Sequence, residues 1–312
     1  MAPAREDGNT SSMATLVNTA TDLLMSSLSR STQRLYRKAL QNFHSFNVMK
    51  LHDENSLPTK TQNIMLYIAE MVNQGYAPST IASNLSAISF FHKMLSFHDP
   101  TSHFAIKKIM VGTNKLHRSI DTRIPITLEI LHSLIDSIPH VTQSLYESCL
   151  FRSMYILMFN AFLRIGEVTN SQNNLQFHDV SVSKSGIVIK FSKFKHHLGP
   201  PILVNILPTG NKYCPVQILS SYLQLRGSVQ GPFFCTPSLD PIQPTQFSSI
   251  LSKTVSFNRL DQHNLKPHSF RIGAATLAAI LGYSDSQIQA MGRWKSSAFK
   301  KYIRIKSFQI PV

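Results

Sequence analysis

Several residues in the second half of the chain carry side chains that suit one another chemically. Arg164 stands in Phe162-Leu-Arg-Ile-Gly-Glu167, directly after an apolar stretch, and Lys193 stands in Phe191-Ser-Lys-Phe-Lys195. His268 and Arg271 stand in Pro267-His-Ser-Phe-Arg-Ile-Gly273, Trp294 follows Gly292-Arg293, and Tyr302 stands in Lys300-Lys-Tyr-Ile-Arg304. Two guanidiniums bind the oxygens of an anion bidentately and stay charged at any working pH. Imidazole and indole N–H groups add further donors. A phenol, with an ordinary pKa of about 10, becomes a nucleophile where nearby cations favour the phenolate. Such a set suits attack at the phosphorus of a diester, whose transition state gathers negative charge on its equatorial oxygens. Taken singly, each residue has a plainer reading. Arg164 and Glu167 form an i,i+3 ion pair, His268 is a helix-start hydrogen bonder, Lys193 solvates a hairpin, Trp294 is core and Tyr302 is an amphipathic surface residue. Their order and spacing join them.

Charge agrees with an anionic partner. The chain of 312 residues has 31 Lys+Arg against 16 Asp+Glu, a formal net charge of +15. Residues 1–118 hold 12 basic and 7 acidic side chains, net +5, and residues 119–312 hold 19 and 9, net +10. A chain so basic throughout is expected to meet a polyanion. Hydrophobic residues make up 43% and charged residues 15%, enough apolar material for a core. Apolar runs such as Tyr155–Phe159 are far too short to span a bilayer, and the first thirty residues show no secretory signal. Cys149, Cys214 and Cys235 are too widely spaced for a disulfide framework or a CxxC metal site, which fits a reducing compartment. His196 and His197 are adjacent and point apart in a strand, so no metal site is expected there.

Residues 1–20 are polar and small and read as a disordered leader. From 21 to 111 the pattern is helical. Ser29 or Ser31 caps a helix with Leu35, Ala39, Phe43 and Phe46 on one face. A second helix, from about Thr59 to Asn73, turns Ile64, Ile68 and Met71 inward and stops at Gly75. Pro78 opens a third carrying Ile81, Leu85, Ile88, Phe91 and Leu95, and a short one covers Phe104–Gly112. Residues 112–125 read as a linker. From 126 to 312 the pattern is again mostly helical, with one β signal: two β-branched runs, 186–191 and 202–207, around a Lys/His/Gly/Pro loop. Pro267 suits a first helical turn, so His268 and Arg271 share a helix face. The fold class is mainly α (α+β), with a small antiparallel sheet in the second domain.

The succession Arg164, a hairpin lysine, His268-x-x-Arg271, Gly292-Arg-Trp294 and Tyr302 resembles the tyrosine recombinase (phage integrase) superfamily. The strings Pro267-His-Ser-Phe-Arg-Ile-Gly-Ala-Ala-Thr276 and Gly292-Arg-Trp-Lys-Ser-Ser-Ala-Phe-Lys-Lys-Tyr-Ile-Arg304 are most similar to its eukaryotic mobile-element branch, the DIRS-like and Crypton-type recombinases. Ser31-Thr-Gln-Arg-Leu-Tyr36 and Ala77-Pro-Ser-Thr-Ile81 resemble, more weakly, the family's core-binding domain. The resemblance covers roughly residues 20–308 and implies a helical, DNA-binding core-binding domain over 21–111 and a catalytic domain over 126–312. It implies that Tyr302 forms a 3′-phosphotyrosyl link and frees a 5′-hydroxyl, with Arg164, Arg271, His268 and Trp294 as donors. Lys193 is the candidate general acid, and Lys195, on the same face of the hairpin, is the alternative. Many members place a His or Trp nine positions before the tyrosine. Here Arg293 is nine before Tyr302 and Trp294 is eight, so either can take that place; an indole N–H favours Trp294. Glu167 would orient Arg164 or support its turn.

The resemblance implies no cofactor, neither ATP nor a metal, and the sequence holds no GxxxxGK[ST] loop. It implies double-stranded DNA as partner, a homotetramer on two duplexes and a nuclear location, with no membrane and no small-molecule substrate. With both domains basic, a clamp around the duplex is the economical arrangement. Arg34, Arg37, Lys38, Lys107, Lys108, Lys115, Arg118 and Lys195 are the candidate phosphate contacts. Two other functions share these features: a domesticated, catalytically silent DNA-binding protein, and a type IB topoisomerase-like DNA-relaxing enzyme.

Overall fold

A computed structural model of the protein describes residues 8–117, 121–192 and 199–304, with side chains from residue 13 onward. The chain divides into two compact units, residues 1–121 and 122–312.

In the first unit, α1 (Gly8–Ser26) is helical where a disordered leader was expected. Met13, Leu16, Val17, Leu23 and Leu24 recur along it at helical spacing and are exposed. The Ser- and Thr-rich composition around them hid that period. α2 (Arg30–Phe46) begins at Ser29, whose hydroxyl accepts the Thr32 N–H at 3.2 Å. It buries Ala39, Phe43 and Phe46 but leaves Leu35, expected inward, 51% exposed. α3 (Thr61–Asn73) buries Ile64, Ile68 and Met71, and the chain turns at Gly75 with φ +77°. α4 (Pro78–Met94) buries Ile81, Leu85, Ile88 and Phe91, while Leu95, just past its end, is exposed. α5 (Phe104–Leu116) runs on through Gly112, so helix occupies the start of the expected linker.

The second unit is built around α7 (Leu145–Asn160), which is apolar on nearly every side and therefore buried. Ser144 caps it, its hydroxyl accepting the Glu147 N–H at 3.1 Å. It packs against α6 (Leu128–Val141), capped by Thr127, and is followed by the short α8 (Ile165–Val168). A three-stranded antiparallel sheet comes next, in the order β1 (Val180–Ser183), β2 (Gly186–Phe191), β3 (Ile202–Ile206). Ile187, Ile189 and Phe191 face the core while Val188 and Lys190 face out, as a two-residue period requires. The expected hairpin is β2–β3; β1 is too short, and its alternating Ser too polar, to read as a strand from sequence. α9 (Pro215–Arg226) packs on α7, and α10 (Pro244–Phe257) on α6. α11 (His268–Ile280), α12 (Asp285–Met291) and a 3-10 turn over Ser297–Tyr302 complete the unit. Among the described residues no helix is long and apolar enough to cross a membrane.

One glycine fixes where α11 lies. The segment before α6 is strapped to it, with Ile124 N–H donating to the Asn264 carbonyl and Ile126 N–H to the Ser269 carbonyl, both at 3.1 Å. A Cβ on Gly273 would collide with the Ile126 carbonyl, which is backbone and cannot rotate away. Gly273→Ala should therefore displace α11 and destabilise the fold by about 1–3 kcal/mol, as overpacking does. Thermal unfolding measures this; an unchanged midpoint would mean that the strap is loose.

Candidate active site

The site starts where α7 ends. Phe162 takes a left-handed backbone (φ +52°), and Leu163 N–H closes the turn on the Met158 carbonyl at 2.9 Å. The chain leaves extended at Arg164 and enters α8, whose Glu167 carboxylate folds back. Glu167 Oε2 accepts the Arg164 backbone N–H at 2.8 Å, and Oε1 accepts Arg164 Nη1 at 3.1 Å. The Arg164 side chain stays 30% exposed, but Glu167 is only 3% exposed. Burying that carboxylate needs more than one partner. The second is Arg293, whose Nη2 donates to Glu167 Oε2 at 3.0 Å and whose Nη1 donates to the Ala161 carbonyl at 3.1 Å. The Arg293 guanidinium also lies 3.8 Å over the Phe191 ring. Burial lowers its pKa; Glu167 opposes that shift and Arg164 adds to it.

Arg271 lies in the first turn of α11 and is 1% exposed. Its Nη1 donates to the Phe162 carbonyl and its Nη2 to the Gly292 carbonyl, tying the ends of α7 and α12 together. Its guanidinium sits 4.1 Å over the Trp294 ring. Burial pushes its pKa down to about 9; Arg164 and Arg293 push the same way, and Glu167 and the Tyr302 phenol oppose them. The Trp294 indole packs onto Gly292, where any Cβ would collide with it, and meets Phe162 edge-on with centroids 6.1 Å apart.

Tyr302 ends the 3-10 turn, half-buried. Its ring centroid is 4.8 Å from that of His268 and 5.2 Å from that of Trp294. Thr276 Oγ1 donates to the Tyr302 carbonyl and accepts the Arg304 N–H, both at 3.1 Å. The nucleophile candidate and the donor candidates thus lie in one cluster. Arg271 Nε and Trp294 Nε1 are buried donors without an acceptor, so donors outnumber acceptors around the phenol. Buried donors normally find partners, and an imbalance of this kind calls for an acceptor-rich ligand.

The structure brings Arg164, Glu167, His268, Arg271, Arg293, Trp294 and Tyr302 together. Between the two candidates for the place before the tyrosine, Trp294 stands beside Tyr302. Arg293, with φ +53°, turns inward instead to Glu167. Lys193 and Lys195, with His196 and His197, lie outside the described residues, as does Arg118. Arg34, Arg37 and Lys38 on α2, and Lys107, Lys108 and Lys115 on α5, are all exposed in the first unit. Sequence reasoning missed Thr276, Phe191 and the Gly292 contact. A lone hydroxyl in Ile272-Gly-Ala-Ala-Thr-Leu-Ala-Ala279 was the available signal for the first. Among the described residues no three His, Cys, Asp or Glu side chains gather as a metal site.

Residues 22–96 match the family model of the phage integrase N-terminal SAM-like domain. A curated relative, the integrase/recombinase xerD homolog of Selenomonas ruminantium, is 24% identical over 258 residues, spanning 78% of this chain and 73% of its own. A lambda integrase dimer bound to a core site has the same fold with a TM-score of 0.63 at 14% identity, over 95% of this chain and 97% of that one. The Tn1549 transposon integrase in complex with transposon right-end DNA has a TM-score of 0.59 at 14% identity, over 91% and 94%. The fold is that of a two-domain integrase. The N-terminal match and the curated relative are likenesses in sequence to the same group of integrases and recombinases.

Among the described residues, Glu167 is the carboxylate that pairs with both Arg164 and Arg293. Glu167→Gln keeps the shape and removes the charge, leaving the Arg293 guanidinium buried without its counter-ion. Urea unfolding should show a loss of roughly 3–5 kcal/mol, the cost of breaking a buried pair. A loss below about 1 kcal/mol would mean that the guanidiniums are held by carbonyls alone.

Proposed function

We propose that the chain is a site-specific DNA recombinase that cuts and rejoins double-stranded DNA through a covalent bond to Tyr302, without ATP or a metal. The observation that carries this reading is the excess of donors around the phenol, with His268 and Trp294 beside the Tyr302 ring and Arg271 under the indole. Tyr302 Oη attacks the scissile phosphorus, and the bond to the 5′-oxygen breaks. A 3′-phosphotyrosyl link remains. Arg164, whose side chain is partly exposed, takes up a non-bridging oxygen, and the N–H groups of Arg271, Trp294 and His268 face the charge that develops in the transition state. The departing 5′-oxygen needs a proton. Lys193 is the proposed donor, with Lys195 as the alternative. The phosphotyrosyl bond keeps the energy of the diester, so a 5′-hydroxyl from another strand can reverse the step and complete an exchange. Exposed Arg34, Arg37, Lys38, Lys107, Lys108 and Lys115 are proposed to bind phosphates, which makes affinity fall steeply with salt. A homotetramer on two duplexes, nuclear location and kinship with the DIRS-like and Crypton-type branch belong to the same proposal.

One observation favours a second reading. Both terminal nitrogens of Arg271 already donate to backbone carbonyls, as they would in a DNA-binding protein that no longer performs the chemistry. A nicked suicide duplex separates the two. The wild-type chain should form an adduct that survives denaturation, and Tyr302→Phe should form none while still binding DNA. Arg164→Ala should slow adduct formation about 10²–10³-fold, the usual effect of losing one preorganised donor, with affinity little changed. Adducts that persist in Tyr302→Phe would refute the nucleophile. Absence of adducts in the wild type, with DNA binding intact, would favour the binding protein. Supercoil relaxation without strand exchange would favour the topoisomerase-like enzyme.

A further inference from the structure

Thr276 departs from the usual habit of a helical hydroxyl, and where Ser153 also reaches another helix, it does so with a single bond, to the Ile218 carbonyl. Ser83, Thr113 and Thr169 each donate to the carbonyl four residues back, at 2.8–2.9 Å. The Thr276 hydroxyl instead leaves its own helix. It donates to the Tyr302 carbonyl and accepts the Arg304 N–H, so one oxygen grips the chain on both sides of Ile303. The grip spans more than twenty-five residues of sequence and is buried, with Thr276 6% exposed. Without it, the carbonyl at the end of the 3-10 turn and the N–H just beyond would have to find other partners.

We propose that Thr276 is a positioning residue that sets where Tyr302 lies against Trp294, His268 and Arg271. The inference rests on the reading of Tyr302 as nucleophile for its consequence in catalysis, but not for its geometry. His268 and Arg271 occupy the first turn of α11, and Thr276 lies five residues after Arg271, about 7.5 Å along the helix axis. A single rigid helix therefore carries both the donors and the clasp that holds the phenol to them. The other ties on the turn lie before Tyr302, chiefly Phe299, buried in the core with its ring centroid 6.1 Å from that of Trp294. Ser296 caps its start through the Ala298 N–H at 3.4 Å, and Lys300 makes one exposed ion pair with Asp285. An exposed pair of that kind orders little. Misplacement of reacting atoms by about 1 Å can cost on the order of 100-fold in rate.

The single tryptophan makes the clasp measurable without DNA. Trp294 touches the Tyr302 ring, so acrylamide quenching of its fluorescence reports whether that ring is in place. Thr276→Val keeps the side-chain shape and removes both hydrogen bonds; Thr276→Ser keeps both. We expect the quenching constant of Thr276→Val to rise at least about twofold, to the value of Tyr302→Ala, while Thr276→Ser stays near the wild type. Adduct formation on the nicked duplex should fall about 10–100-fold in Thr276→Val at unchanged DNA affinity, and Thr276→Ser should restore it. Thr276→Ala decides the question if the valine variant does not fold. Wild-type quenching in folded Thr276→Val or Thr276→Ala overturns the proposal. A rise in quenching together with a wild-type chain that forms no Tyr302-dependent adduct upholds the clasp and refutes the recombinase reading.

Discussion

The buried Arg271 guanidinium is the group on which the rest of the site depends. Arg164 and Arg293 pair with one buried carboxylate, Glu167, and Arg271 lies beside them bonded to carbonyls alone, so the cluster holds more positive charge than its own residues neutralise. Burial, with Arg164 and Arg293 adding to it, pushes Arg271 down to about 9. The sign of that shift is informative. A base whose folded pKa lies below its unfolded value costs stability wherever it is charged, which for Arg271 means the whole range below pH 9. The cost is relieved as pH rises above that value. It is also relieved at neutral pH by an anion that binds beside the guanidinium. The fold sustains a strained charge at the place where a phosphodiester would compensate it.

What sustains the charge is backbone. The Phe162 carbonyl lies two residues past the end of α7 and the Gly292 carbonyl caps α12, and Arg271 bonds to both. Helix C-termini present unpaired carbonyls that favour a cation. Two left-handed residues, Phe162 and Arg293, turn the chain at those same ends. At Phe162 the turn releases Arg164 toward Glu167. At Arg293 it parts consecutive side chains, sending Arg293 to Glu167 and Trp294 to Tyr302. Glu167 thus joins α8 to the end of α12. Gly273, pressed against Ile126, keeps the helix that carries Arg271 close enough for all of this.

Much of this was legible before the structure. The Arg, His-x-x-Arg and terminal Tyr types, and most of the inward faces of α2, α3 and α4, follow from residue chemistry and helical period. What was not legible depends on direction or on distant contact. Nothing local shows that Arg293 turns inward, because its positive φ arises from packing of the Gly292–Trp294 turn. Nothing shows that Glu167 serves two arginines, because the second is over a hundred residues away. Thr276 was one polar residue in an apolar helix, a signal without a partner. Leu35 was placed on the inner face by period alone, but α2 packs through Ala39, Phe43 and Phe46 and leaves it exposed. The α1 stripe was masked by its polar neighbours, and β1 by its brevity. The lysines of the β2–β3 connection are known by sequence alone.

The central claim is that the donors beside Tyr302 form a pocket for a phosphorus-centred oxyanion. Trp294, as the only tryptophan, gives a single indole N–H resonance, and its Nε1 is one of the donors without an acceptor. Titration with orthovanadate, a tetrahedral oxyanion that can become five-coordinate, should move that resonance downfield in a saturable manner. A resonance that stays in place at saturating vanadate would contradict the account.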